Sequence, residues 1–144
     1  MSEMEKQRVR DNINGGLPVD MLKALFEMQK ELDSYIIEQH QDKIPTSLSE
    51  WIVKLSIAME SEIDEIRKEV NWKWWKPEKE IDVDKLHEEI SDMWHFLISM
   101  SLKAGLSADK IFEVYEKKRQ ENFARQQGQS KDGEAYNYSE GGHQ

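Results

Sequence analysis

Apolar residues recur at three- and four-residue steps along four stretches of the chain, the spacing that places them on one face of an α-helix. Pro18 is suited to the first turn of a helix. From there Leu22, Leu25, Phe26, Leu32 and Tyr35/Ile36 predict a helix running to about Gln39. Ser47-Leu48-Ser49-Glu50 has the form of a capping box, which opens a second helix. Its stripe is Leu48, Trp51, Ile52, Leu55, Met59, Ile63, Ile66 and Val70. Residues 71–83, with Trp72, Trp74, Trp75 and Pro77, break the period and read as a loop. A third helix is expected from about Asp84, with Leu86, Ile90, Met93, Trp94, Leu97 and Ser101 on one face and Gly105 stopping it. Ser107 is placed to cap a fourth helix carrying Ile111, Val114, Tyr115 and Lys118. No two-residue strand alternation occurs, so the expected fold is all-α, a four-to-five-helix bundle.

Length and composition narrow this picture. With 144 residues the chain fits one domain, with residues 1–16 expected as a flexible arm and 128–144 as a flexible tail. The chain has no cysteine, which excludes disulfides, zinc–thiolate sites and thiol nucleophiles and points to a cytoplasmic protein. No apolar run approaches membrane-spanning length, and the N-terminus lacks the apolar core of a signal peptide. The formal net charge of −9 disfavours a nucleic-acid partner, which is normally met by a basic face. An acidic protein can still bind a polyanionic small molecule if metal ions cancel the charge locally.

The placement of the acids is the most informative feature. On the second helix Glu62 and Glu65 are three apart and Glu69 follows by four; on the third, Glu89 and Asp92 are again three apart. Such residues share a helix face, beside the apolar stripe in both cases. Two carboxylate pairs on successive antiparallel helices can converge on one point. Unneutralised, they would repel and carry a desolvation penalty of several kcal/mol. A hard divalent cation with oxygen ligands, Mg²⁺ or in its place Mn²⁺, resolves this. A solvated acidic face accounts for the same spacing, so periodicity suggests a site without naming a substrate.

At these residues the sequence resembles a known family. Glu62-Ile63-Asp64-Glu65 and Glu89-Ile90-Ser91-Asp92 look like the E-x-x-E and E-x-x-D motifs of the all-α, MazG-like nucleoside triphosphate pyrophosphohydrolases. Trp72-Lys73-Trp74-Trp75-Lys76 and Asp92-Met93-Trp94-His95-Phe96 resemble segments of the dimeric dUTPase branch. So do Lys118, Asn122, Phe123, Arg125 and Gln126, followed by Gly128, Lys131 and Gly133.

This resemblance implies Mg²⁺ ligation and catalysis by Glu62, Glu65, Glu89 and Asp92; of the first pair, Glu62 is our first choice of proton acceptor. It implies hydrolysis of dUTP, and of dUDP as a further candidate, to dUMP, limiting uracil incorporation into DNA. It also implies a homodimer. Gln29 resembles the branch's base-contacting glutamine; its amide offers both donor and acceptor. Lys118, Asn122 and Arg125, at steps of four and three, are candidates for phosphate and sugar contacts, with Lys76 and Lys131 from mobile segments. Each of these has a plain alternative as a solvated polar residue. Trp72 and Trp75 are expected in packing or an interface, and His95 as a packed residue supporting the ligands. The functional alternatives are a pyrophosphohydrolase of dCTP or broader specificity, and a helical interaction protein without catalysis.

Overall fold

The computed structural model describes residues 2–4 and 20–129. The expected arm, Pro18 and the tail beyond residue 129, Lys131 included, lie outside the described residues. Four long helices follow one another: α1 (Met21–Gln39), α2 (Leu48–Lys68), α3 (Val83–Lys103) and α4 (Ala108–Gln126). No strand occurs among the described residues, so the chain is all-α. It divides into two compact units, Met1–Ser107 and Ala108–Gln144.

Side-chain caps set the helix starts. Asp20 accepts the N–H of Lys23 at 3.1 Å and begins α1 three residues after Leu17, later than the expected start at Pro18. Ser47 accepts the N–H of Glu50 at 3.2 Å, half of the predicted capping box. The Glu50 carboxylate turns back to the N–H of Thr46 at 3.0 Å, one residue beyond the box's usual partner. Asp82 accepts from the N–H of Lys85 at 3.1 Å and opens α3 about two turns ahead of Glu89. Each such cap stabilises its helix by about 1 kcal/mol.

Gly105 ends α3 as expected, at φ +82°. Its N–H reaches Leu102 O at 3.1 Å and that of Leu106 reaches Ser101 O at 2.9 Å, the paired bonds of a Schellman motif. In the first unit α3 packs on both α1 and α2. Phe26, Leu55 and Ile98 are its buried large apolar residues, one from each helix.

The predicted stripes are only partly covered. Tyr35 (62% exposed), Leu48 (56%) and Trp94 (53%) stand open in the single chain, and no large side chain among the described residues is fully buried. The sequence pattern correctly marks a common face on each helix, but much of that face meets no other element of the described chain. α4, taken by itself, carries Arg119 with its guanidinium 4.8 Å from the centre of the Phe123 ring, one turn on.

Candidate metal centre and adjoining pocket

The antiparallel run of α2 and α3 brings the acids of the two helices together. One carboxylate oxygen each from Glu62, Glu89 and Asp92 lie within 4.8 Å of one another. Glu62 and Glu89 are half-buried and Asp92 is exposed. Loss of solvent raises the Glu62 pKa above the ordinary carboxylate value, and the charges of Asp92, Glu89 and Glu65 push it the same way. Three hard oxygen donors at this spacing fit a hard divalent cation, and a cation among them would relieve their repulsion.

Glu65 is close enough to add to the field at Glu62, yet its Oε1 pairs with Lys68 Nζ at 3.0 Å. It therefore stands outside the close group of three. Glu69, the third acid of the α2 row, is drawn away too: its Oε1 lies 3.0 Å from Lys85 Nζ of α3. That bridge ties the two helices together one turn below Glu89.

Beside the acids lies a pocket of about 370 Å³. Asp92 belongs to both, so the acidic cluster and the pocket adjoin. Trp51, Leu55 and Phe96 supply apolar wall, and Gln29, Asp33, His95 and Ser99 supply the polar groups. These four polar residues form one chain of hydrogen bonds between α1 and α3. Ser99 Oγ donates to Asp33 Oδ2 at 2.8 Å, Gln29 Nε2 donates to Asp33 Oδ1 at 2.8 Å, and His95 Nδ1 meets Gln29 Oε1 at 2.6 Å. Gln29 (6% exposed) and Ser99 (4%) are buried, as unpaired polar groups could not be without cost.

Gln29 is thus an interior residue and not a solvated one, and His95 bonds it and not a metal ligand. Asp33 and Ser99 are the residues that sequence pattern overlooked. The signal was present as two i,i+4 polar pairs, Gln29/Asp33 and His95/Ser99, on helices whose inner faces are otherwise apolar.

A second surface hollow, about 550 Å³, runs along the α2–α3 connection. Lys76, Lys73, Lys79 and Trp72 line it. The three tryptophans here do not plug the core. Trp74 is 87% exposed, and Trp75 meets both Trp72 and Trp74 edge-on at 5.9 and 5.8 Å. On α4, Lys118 and Asn122 are exposed, while Arg125 is half-buried with its Nε 3.5 Å from Glu121 Oε1.

No helix of the described chain is long and apolar enough to cross a membrane. Among curated proteins, the dCTP pyrophosphatase of Enterobacteria phage T4 is 30% identical over 76 residues, a match covering 53% of this chain. It spans only 37% of the phage protein. No solved structure matches significantly. The sequence profile of a dUTPase family matches residues 21–126, from the first residue of α1 to the last of α4. The chain belongs to this all-α dUTPase family.

Proposed function

We propose that the chain is a nucleoside triphosphate pyrophosphohydrolase that cleaves the α–β phosphoanhydride of dUTP, giving dUMP and pyrophosphate. The observation that carries this reading is a carboxylate trio within 4.8 Å whose member Asp92 also lines a largely apolar pocket. Acid cluster and pocket together match a substrate with a polyphosphate at one end and a flat base at the other. Membership of a dUTPase family supports the choice of uracil.

Glu62, Glu89 and Asp92 would hold Mg²⁺, or Mn²⁺ in its place, with Glu65 as the fourth carboxylate once it releases Lys68. When bound, the ion supplies charge neutralisation for the triphosphate and acidifies water for attack. Glu62 is assigned as acceptor of the attacking water's proton, through a carboxylate oxygen left free of the ion. No covalent nucleophile is needed. In the pocket Trp51 and Phe96 flank the base while Gln29 and His95 face its polar edge. Lys76, from the α2–α3 connection, is assigned to the phosphates. The open stripes on α1 and α2 support a homodimer.

A second reading, dCTP as substrate, is favoured by the phage relative, which is described as a dCTP pyrophosphatase. Pyrophosphate release from a panel of deoxy- and ribonucleoside triphosphates, with and without Mg²⁺, tests both. Release from dUTP only when Mg²⁺ is present supports the first reading; release from dCTP alone supports the second. No release from any nucleotide leaves the acids as a solvated face and ends both.

A further inference from the structure

The hydrogen-bond chain behind the pocket has a direction. A carboxylate only accepts, so the end of the Gln29 side chain that meets Asp33 Oδ1 at 2.8 Å has to be the amino end. The amide oxygen then faces His95 Nδ1 at 2.6 Å, and that ring nitrogen has to carry the hydrogen. The other Asp33 oxygen accepts the hydroxyl of buried Ser99 at 2.8 Å, a bond that leaves the Oδ1 contact to Gln29 as the one that orients the amide. The amide orientation and the histidine tautomer are thus both fixed by one acidic residue, which acts on the pair through its bond to Gln29.

Two functions remain for a ligand: the second N–H of Gln29, a donor, and Nε2 of His95, an acceptor in the neutral ring. Position 4 of uracil is a carbonyl acceptor and position 3 an N–H donor; in cytosine the two are reversed. A base seated with position 4 toward Gln29 and position 3 toward His95 is matched as uracil. As cytosine it would meet donor with donor and acceptor with acceptor, and a polar site rejects such a mismatch strongly.

We propose that Asp33 is a positioning residue that sets the pyrimidine preference, by locking Gln29 and His95 into the uracil-complementary orientation. This rests on the pyrimidine deoxynucleotide reading given above. Asn at position 33 offers a donor as well as an acceptor, so the Gln29 amide is free to turn over. The turned amide, with the ring hydrogen on Nε2, presents the cytosine-complementary edge.

The test takes the full chain, Asp33→Asn and Ser99→Ala, and measures kcat/KM for dUTP and dCTP with saturating Mg²⁺. The imidazole nitrogens of His95 are observed in parallel by ¹⁵N NMR without nucleotide. The wild type should show the Nδ1–H tautomer, and Asp33→Asn a mixture. The dUTP-to-dCTP preference should fall at least about tenfold in Asp33→Asn and stay within about twofold in Ser99→Ala. A merely structural role for Asp33 would lower both substrates alike and leave the ratio unchanged, and that result overturns the proposal. So does a wild-type ring carrying its hydrogen on Nε2, a measurement that stands even if Asp33→Asn fails to fold. A wild type that hydrolyses neither nucleotide overturns the substrate reading and the preference with it, while the tautomer alone still decides whether Asp33 orients the pair.

Discussion

The side-chain amide of Asn71 grips both backbone groups of Lys79: its Oδ1 accepts the Lys79 N–H at 3.0 Å and its Nδ2 donates to the Lys79 carbonyl at 2.8 Å. One residue thereby closes the tryptophan- and lysine-bearing connection between the two acid-carrying helices into a fixed loop. Every residue of the loop is solvent-exposed, so little apolar burial holds it.

Asn71→Ala should therefore loosen the connection more than it destabilises the fold. The expected loss is about 1–2 kcal/mol in urea unfolding, with a clear rise in acrylamide quenching of tryptophan fluorescence. Unchanged quenching would show that the loop is held by something other than this clamp.

Loss of solvent at Glu62, together with the charges of Asp92, Glu89 and Glu65, gives a pH-dependent prediction for the metal-free protein. Its folded pKa is raised above the unfolded value, so the folded state binds the proton more readily. Stability is then full below the ordinary carboxylate pKa and declines as pH rises through the raised folded value. Glu62→Gln removes this decline and should raise the metal-free melting temperature at neutral pH. The same variant should lose the stabilisation by Mg²⁺, about 2.7 kcal/mol for the wild type at a hundred times Kd. A Glu62→Gln protein less stable than wild type without metal would contradict the proposed repulsion.

Leu55 of α2 is buried (8% exposed), and it also lines the pocket. Leu55→Ala should cost about 2–5 kcal/mol in chemical denaturation, the range for an interior leucine. A loss below about 1 kcal/mol would mean that the neighbouring side chains collapse into the space.

Gly105 holds a left-handed conformation with open space where a Cβ would stand. Gly105→Ala should cost about 1–2 kcal/mol from backbone strain alone, with no steric part. Thermal unfolding checks this, and a neutral result would show that the α3 terminus unwinds at little cost.

How far the sequence foretold this differs from residue to residue. The Ser47–Glu50 cap, the Gly105 stop and the acid rows were legible because each depends on neighbours within one helical turn. The convergence of Glu62 with Glu89 and Asp92 was legible as a possibility, since spacing fixes a face and antiparallel packing does the rest. Glu65 lies outside the close trio, with Lys68, three residues on, paired to its carboxylate at 3.0 Å, a competition that spacing alone does not reveal. The pairs Gln29/Asp33 and His95/Ser99 were each visible as i,i+4 spacings, but their joining was not, because His95–Gln29 and Ser99–Asp33 are 66 positions apart and only the packing of α1 on α3 brings them together. The exposure of Tyr35 and Trp94 escaped for a related reason: amphipathic pattern marks which face is apolar, but not whether another element of the same chain covers it.

α3 carries Glu89 and Asp92 on its acid-facing turns and His95 and Ser99 on the turns that follow. A rigid helix therefore sets the separation between the charged end and the pocket end, at about 1.5 Å per residue. One residue inserted between Asp92 and His95 would swing one half about 100° around the axis relative to the other. Among closely related chains, length between these two positions should consequently be the least negotiable spacing in the fold, more so than the identity of any single side chain along it.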